Sequence, residues 1–170
     1  MTTVEDKGQT GGELNALSPK GQDLLYTVTQ VLGSRQVKTG VLLDRPQIYV
    51  DPQEIVEVCR SLKDDPRTNF KTLLCMAAVD YKEYIQMVYF LLSMEKEYIL
   101  AVKVDLPYDS PQLPTISGVW RAADWYEREA HDLFGVEFEG HPDPSPLLLY
   151  EGFEGYPGRK EFPFHEYDEY

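Results

Sequence analysis

The sequence predicts an α+β domain, with helices packed on a mostly antiparallel sheet, followed by an extended Pro/Gly-rich C-terminal tail. Three observations carry this. Helical and strand patterns come in the order helix, two strands, helix, three strands, helix, without the strand-helix alternation of a parallel α/β fold. The last three strand-like runs are separated by Asp80 to Glu83 and Met94 to Glu97, gaps of hairpin length. After Gly135 both periodicities stop, and Pro142, Pro144, Pro146, Pro157 and Pro163 take over.

The elements follow in order. Residues 1–17 are polar and Gly-containing, so burial cannot offset their ordering entropy, and they are expected to be disordered. Ser18-Pro19 supplies an N-cap and a first helical residue; Leu24, Leu25, Val28, Val31 and Leu32 follow at helical spacing to a stop near Gly33. Val37 to Leu43 and Gln47 to Val50 read as short strands about the turn Asp44-Arg45-Pro46. Asp51-Pro52-Gln53-Glu54 places N-cap, proline and glutamate where a helix start needs them. That helix shows the face Ile55, Cys59, Leu62 and ends before Pro66. Leu73 to Val79, Tyr84 to Leu92 and Tyr98 to Leu106 are strands; in the last, Leu100, Val102, Val104 and Leu106 alternate with Lys103 and Asp105. A Pro-rich link, 107–114, leads into an aromatic helical region from Thr115 to Phe134, weakened at Gly118 and closed by Gly135 as a left-handed cap. Residues 18–135 thus make the domain, and 136–170 a docking tail anchored by Tyr150, Phe153, Tyr156, Phe162 and Phe164.

Composition excludes several roles. With 29 acidic against 16 basic residues the net charge is -13, which repels phosphate backbones and argues against nucleic acid or an anionic membrane as direct partner. Between Trp120 and Tyr170 there are 13 Asp and Glu against 4 Lys and Arg, so the final third holds most of that charge. The two cysteines, Cys59 and Cys75, sit in apolar runs without CxxC spacing and read as buried reduced thiols. No stretch approaches the roughly 20 apolar residues of a membrane span, and the first residues lack a secretory apolar segment, so a soluble, unexported chain is expected.

One stretch, Trp125 to Pro144 ("WYEREAHDLFGVEFEGHPDP"), concentrates acids, an arginine, two histidines and two glycines. On a helix Trp125, Glu129 and Leu133 stack beside Ala122, Tyr126 and Ala130, which puts Glu129 on the apolar face and leaves Glu127 more exposed. Arg128 with Asp132, and Glu127 with His131, are four apart and able to pair. Asp124 either reaches Arg128 or caps a restarted helix. Glu129 is then a polar pin beneath the tail, or a carboxylate tuned for chemistry. A metal site from His131, His141 and the nearby acids is the enzymatic alternative, but only two ligands share a helical turn and His165 lies far down the tail. No phosphate loop and no nucleophile motif accompanies them.

The string Glu127-Arg128-Glu129, Asp132-Leu133-Phe134-Gly135, Phe138, Gly140-His141-Pro142-Asp143 and a pair of leucines resembles the signature of the C-type, or 30 kDa, subunit family of proton-pumping NADH:quinone oxidoreductase, respiratory complex I. "QLPTISGVW" before it and "GYPGRKEFP" with Arg159 and Lys160 after it extend the likeness from about Leu24 to Pro163. The resemblance implies a non-catalytic assembly subunit of the hydrophilic arm, with no cofactor, metal or catalytic residue of its own. It would pack against the large, hydrogenase-like D-type subunit near the quinone-reducing module, peripherally on the cytoplasmic face of an energy-transducing membrane, or the matrix or stromal side in an organelle. Glu127, Arg128, Glu129, Asp132, Phe134, Gly135, Gly140, His141, Pro142, Asp143, Arg159 and Lys160 are the residues it marks as structural or interfacial. Ser145 stands where the family usually has a basic residue or proline, and His131 where it often has an aromatic one. The same subunit type serves membrane-bound nickel-iron hydrogenases, formate hydrogenlyase-like assemblies and ferredoxin- or F420-linked dehydrogenases, so the resemblance leaves the electron donor open.

Overall fold

The computed structural model describes residues 17–35, 37–42 and 44–163. The expectations for residues 1–16, Phe164 and His165 lie outside this range. Leu17, expected within the disordered segment, instead packs in the core, 5 % exposed. It is the first apolar residue of the helix entry, and burying it against α1 is worth more than leaving it with its polar neighbours.

Helix α1 runs Pro19–Leu32, with Ser18 Oγ accepting from Gly21 N at 3.2 Å and Gly33 N–H closing on Thr29 O at 3.0 Å. Strands β1 (Lys38–Leu42) and β2 (Arg45–Tyr49) form the expected hairpin, but with Arg45 and Pro46 inside β2 rather than in the turn. Pro46 is tolerated there because β2 meets its inner neighbour only from Gln47 onward. Asp51 Oδ1 accepts from Gln53 N at 2.9 Å and starts one 3-10 turn, Pro52–Glu54, that runs into α2, Ile55–Asp64.

Strands β3 (Thr72–Asp80), β4 (Tyr84–Ser93) and β5 (Tyr98–Pro107) complete a sheet of order β1-β2-β5-β4-β3, antiparallel except for the β2–β5 pair. Alternate residues of the central strands, Ile85, Met87, Tyr89 and Leu91 with Leu100, Val102, Val104 and Leu106, share one core with Leu24 and Val28 of α1 and Ile55, Val58, Cys59 and Leu62 of α2. Burial pushes the Cys59 thiol well up, and the nearby Glu127 charge adds to it. A buried thiol of this kind is an inert packing group.

Two short strands escape the sequence pattern. β6 (Gln112–Pro114) lies in the Pro-rich link and β7 (Glu137–Glu139) just beyond the expected domain end, and they pair in parallel. Glu137 N to Pro111 O at 2.8 Å and Thr115 N to Glu139 O at 3.0 Å extend the pairing. Val136, just after the Gly135 cap, is fully buried. Between these strands the chain makes tight turns from Ile116, with Val119 N and Trp120 N both donating to Ile116 O, before α3 begins at Ala123 and runs to Phe134. The helical region is therefore shorter than expected, and Gly118 lies in the turns outside it.

Candidate functional site

Helix α3 lies over β3, and its phase differs from the one that hydrophobic spacing predicts. It buries Ala123, Glu127 and Ala130 at spacings of four and three. Glu129 is exposed, and Trp125 is 66 % exposed. The buried carboxylate is thus Glu127, 1 % exposed, and not Glu129. Ala123 and Ala130 explain the rotation: two small residues let the helix approach the sheet closely on a face where Trp125 has no room. What makes burying Glu127 tolerable is its set of partners. Ile116 N donates to Oε1 at 2.8 Å, Thr115 Oγ1 donates to Oε2, and His141 Nε2 lies 3.6 Å from Oε2.

His141 belongs to the tail, and its side chain is 3 % exposed. Its Nδ1 accepts from Asp143 N at 3.1 Å, which leaves the proton on Nε2, facing Asp124 O at 3.2 Å and Asp124 Oδ1 at 3.8 Å. Asp124 therefore answers His141 and neither reaches Arg128 nor caps the helix. His131 turns elsewhere, its Nδ1 donating to Val136 O at 3.0 Å. The two histidines do not converge, and among the described residues no three His, Cys, Asp or Glu side chains gather as a metal site.

Two further charged residues of α3, Asp132 and Arg128, hold the tail. Asp132 Oδ2 accepts from the backbone N–H groups of Leu147, Leu148 and Leu149 at 2.8, 2.7 and 3.2 Å. Arg128, instead of pairing with Asp132, donates to Ser145 O, Ser145 Oγ and Pro146 O at 3.0, 3.2 and 3.0 Å, with Asp143 at 3.8 Å. The Ser145 hydroxyl, as well as its carbonyl, thus accepts from that arginine. Burial alone would raise the Asp132 carboxyl, but the three amides outweigh it and hold it below its ordinary value.

The C-terminal end of α3 is closed by the tail as well. Gly135 adopts the expected left-handed conformation, φ 69°, and the Tyr156 ring lies so close that a Cβ there would come within 2.5 Å of it. Gly158 N donates to Leu133 O at 2.8 Å and Arg159 Nε to Phe134 O at 2.8 Å, which satisfies carbonyls that a helix end leaves open. The Arg159 guanidinium also lies over the Tyr108 and Tyr156 rings, 4.9 Å from each ring centre. A cation at this end complements the helix dipole. Lys160 contributes its backbone N–H, donated to Asp80 Oδ2 at 2.7 Å. Asp80, 4 % exposed, also accepts from Lys82 N at 2.5 Å. Sequence reasoning missed Asp80 and Thr115; an Asp closing a strand before a tight connection was the only signal for the first, and none marked the second.

Large apolar groups remain in solvent beside these bonds. Trp125, Leu148 and Tyr150 are 66, 60 and 72 % exposed, on the helix and tail where Glu127 and Asp132 are turned inward. Phe153 is edge-on to Tyr150 and stacked on Phe162, so these aromatic anchors begin by packing on one another. Phe134 packs against the core, while Gly140, at φ 79°, turns the chain from β7 toward His141, Pro142 and Asp143.

Glu127 sets a pH dependence. Burial raises its carboxyl, against the bonds from Thr115 and Ile116 and the neighbouring His141, which pull it down. A carboxyl raised in the fold contributes stability that is complete below its unfolded pKa, about 4.3, and is lost as pH rises through the folded value. Asp132 and Asp80, both lowered, behave oppositely and lose their contribution as pH falls through theirs. Glu127→Gln, which mimics the protonated carboxyl, is therefore expected to gain on the wild type as pH rises from about 4.3 in urea melts. A difference that stays constant with pH contradicts this.

Residues 48–168 match the family described as "Respiratory-chain NADH dehydrogenase, 30 Kd subunit". The chain is 45 % identical over 121 residues to the NADH-quinone oxidoreductase subunit designated C 2 in Rhizobium meliloti (strain 1021), covering 69 % of this chain and 66 % of that protein. The match to the Rhizobium etli (strain CIAT 652) protein of the same name covers 64 % of its length, so the chain spans just under two thirds of these two relatives. With the NADH-quinone oxidoreductase subunit designated C in Rhodobacter capsulatus it shares 40 % identity over 156 residues, covering 90 % of this chain and 78 % of that one. Among solved structures, a chain of the membrane-bound sulfane sulfur reductase, an archaeal respiratory membrane complex, is similar with TM-score 0.73 and 30 % identity, covering 85 % of this chain and 86 % of that chain. The trypsin-resistant fragment of Nqo5 shares the fold, with TM-score 0.56 at 23 % identity over 73 % of this chain and 98 % of that one.

Proposed function

Because the chain belongs to the 30 kDa subunit family of respiratory-chain NADH dehydrogenase, we propose that it serves as the C-type subunit in the hydrophilic arm of a complex I-type NADH:quinone oxidoreductase. In this reading it packs against the large, hydrogenase-like D-type subunit near the quinone-reducing module, on the cytoplasmic face of the membrane, and brings no cofactor, metal or catalytic residue of its own. No helix among the described residues is long and apolar enough to cross a membrane, in keeping with peripheral attachment.

One observation carries the assembly role: Glu127, Arg128, Asp132 and His141 are engaged in bonds within the chain, while Trp125, Leu148 and Tyr150 are left exposed beside them. Large apolar groups held on a fixed backbone are what interface cores are built from.

A second reading, the corresponding subunit of a respiratory complex with another electron donor, draws on the likeness to the sulfane sulfur reductase chain. Purification of the assembly through a tag on this chain, from its own membranes, tests both. The proposal expects a large hydrogenase-like subunit in the preparation, NADH-dependent quinone reduction, and a separately expressed chain that is colourless and metal-free. Quinone or sulfur reduction only with another donor favours the second reading. A stoichiometric metal in the isolated chain, lost in the His131→Ala/His141→Ala variant, returns the molecule to the enzyme class.

A further inference from the structure

Between α3 and the tail runs an open groove of about 550 Å³, lined by Ala122, Trp125, Tyr126, Glu129, Leu147 and Leu148. Both walls are fixed. Trp125 and Glu129 stand one turn apart on α3, and Leu147 and Leu148 ride on backbone pinned by Asp132. Glu129 is the one charged side chain in the lining, and it makes no hydrogen bond or ion pair with any described residue. Its neighbour Arg128 cannot serve it, being committed to Ser145, Pro146 and Asp143. Further along the tail Glu151 and Glu154 are exposed and add negative charge, while Arg121 is an exposed base at the Ala122 end.

We propose that this groove takes an amphipathic helix of the partner subunit, one that sets aliphatic side chains against Trp125 and Leu148 and a Lys or Arg against Glu129. The inference rests on the assembly reading above and adds the chemistry of the partner. A carboxylate covered without a counter-charge carries a heavy penalty for burying an ion, so a partner that closes the groove must bring a cation to Glu129. An added strand is disfavoured, because the N–H groups of Leu147, Leu148 and Leu149 are already taken by Asp132 and cannot donate to a neighbouring backbone. Docking therefore proceeds through side chains, the mode in which a helix lays its apolar ridge in a groove. The pinned backbone lowers the ordering cost of that contact.

The test uses the whole assembly purified from its host. With the photoreactive amino acid benzoylphenylalanine in place of Leu148, irradiation is expected to link one helical segment of a partner subunit that has a Lys or Arg within one turn of the linked residue. Glu129→Lys is expected to lower recovery of the assembly at least tenfold while leaving the melt of the isolated chain unchanged, and reversing the mapped base to Glu is expected to restore it. A link to a strand, or to a segment without a base, overturns the inference, as does a Glu129→Lys chain that assembles normally. Those failures leave the assembly reading standing. A tagged wild-type chain that recovers no other subunit at all overturns both.

Discussion

Glu127→Ala is expected to destabilise the isolated chain by about 3 kcal/mol at neutral pH, whereas Glu129→Ala, two residues on, costs less than about 0.5 kcal/mol. The first change strands the buried Ile116 N–H, leaves the Thr115 hydroxyl with Ser117 Oγ alone, and takes one of two neighbouring carboxylates from His141, 3 % exposed. It also leaves a hole at a position 1 % exposed. The second removes an exposed side chain that bonds to no described residue. Urea unfolding of the two variants side by side measures the difference. Equal losses mean that α3 is turned to a different face from the one described.

Asp132→Ala is expected to free the middle of the tail without unfolding the sheet. Three consecutive amides lose one charged acceptor, and bonds to a charged group contribute about 1.5 to 3 kcal/mol. Hydrogen exchange at Leu147, Leu148 and Leu149 is expected to accelerate roughly tenfold to a hundredfold, since each step of about 1.4 kcal/mol is a factor of ten. Protection at Val102 and Tyr89, in the central strands, stays unchanged because they pair with each other across β4 and β5, away from the tail. Exchange at Leu147 to Leu149 that is as slow as in the wild type shows that Arg128 and the Arg159 cap hold the tail by themselves.

The large elements were legible because each repeats its pattern over several turns or strand positions. Ser18-Pro19 and Asp51-Pro52 mark helix starts through bonds confined to neighbouring residues, and the alternation from Leu100 to Leu106 states which face of β5 is buried. β6 and β7 are three residues each, too short for a period, and their pairing joins positions 25 residues apart (Gln112 with Glu137). Helical phase failed on α3 for a physical reason. Trp125 is the largest apolar residue there, and the hydrophobic rule assigns it to the core, yet two alanines and a bonded glutamate occupy that face. An exposed tryptophan is the kind of departure expected where a surface is built for a partner. The role of Arg159 was hidden because it depends on Tyr108 and Phe134, 51 and 25 residues away in sequence. Its bond to Phe134 O makes it a cap for α3 within its own chain.

The most direct test of the proposal that the exposed apolar groups of α3 and its tail face an assembly is the double variant Trp125→Gln/Leu148→Gln. Two quantities are compared with the wild type: the unfolding free energy of the isolated chain, and the yield of the assembled complex recovered through a tag on it. Both residues are largely solvent-exposed, so stability is expected to change by less than about 1 kcal/mol while the assembly is lost. A chain that assembles at the wild-type yield contradicts the account and moves the contact surface away from α3 and its tail.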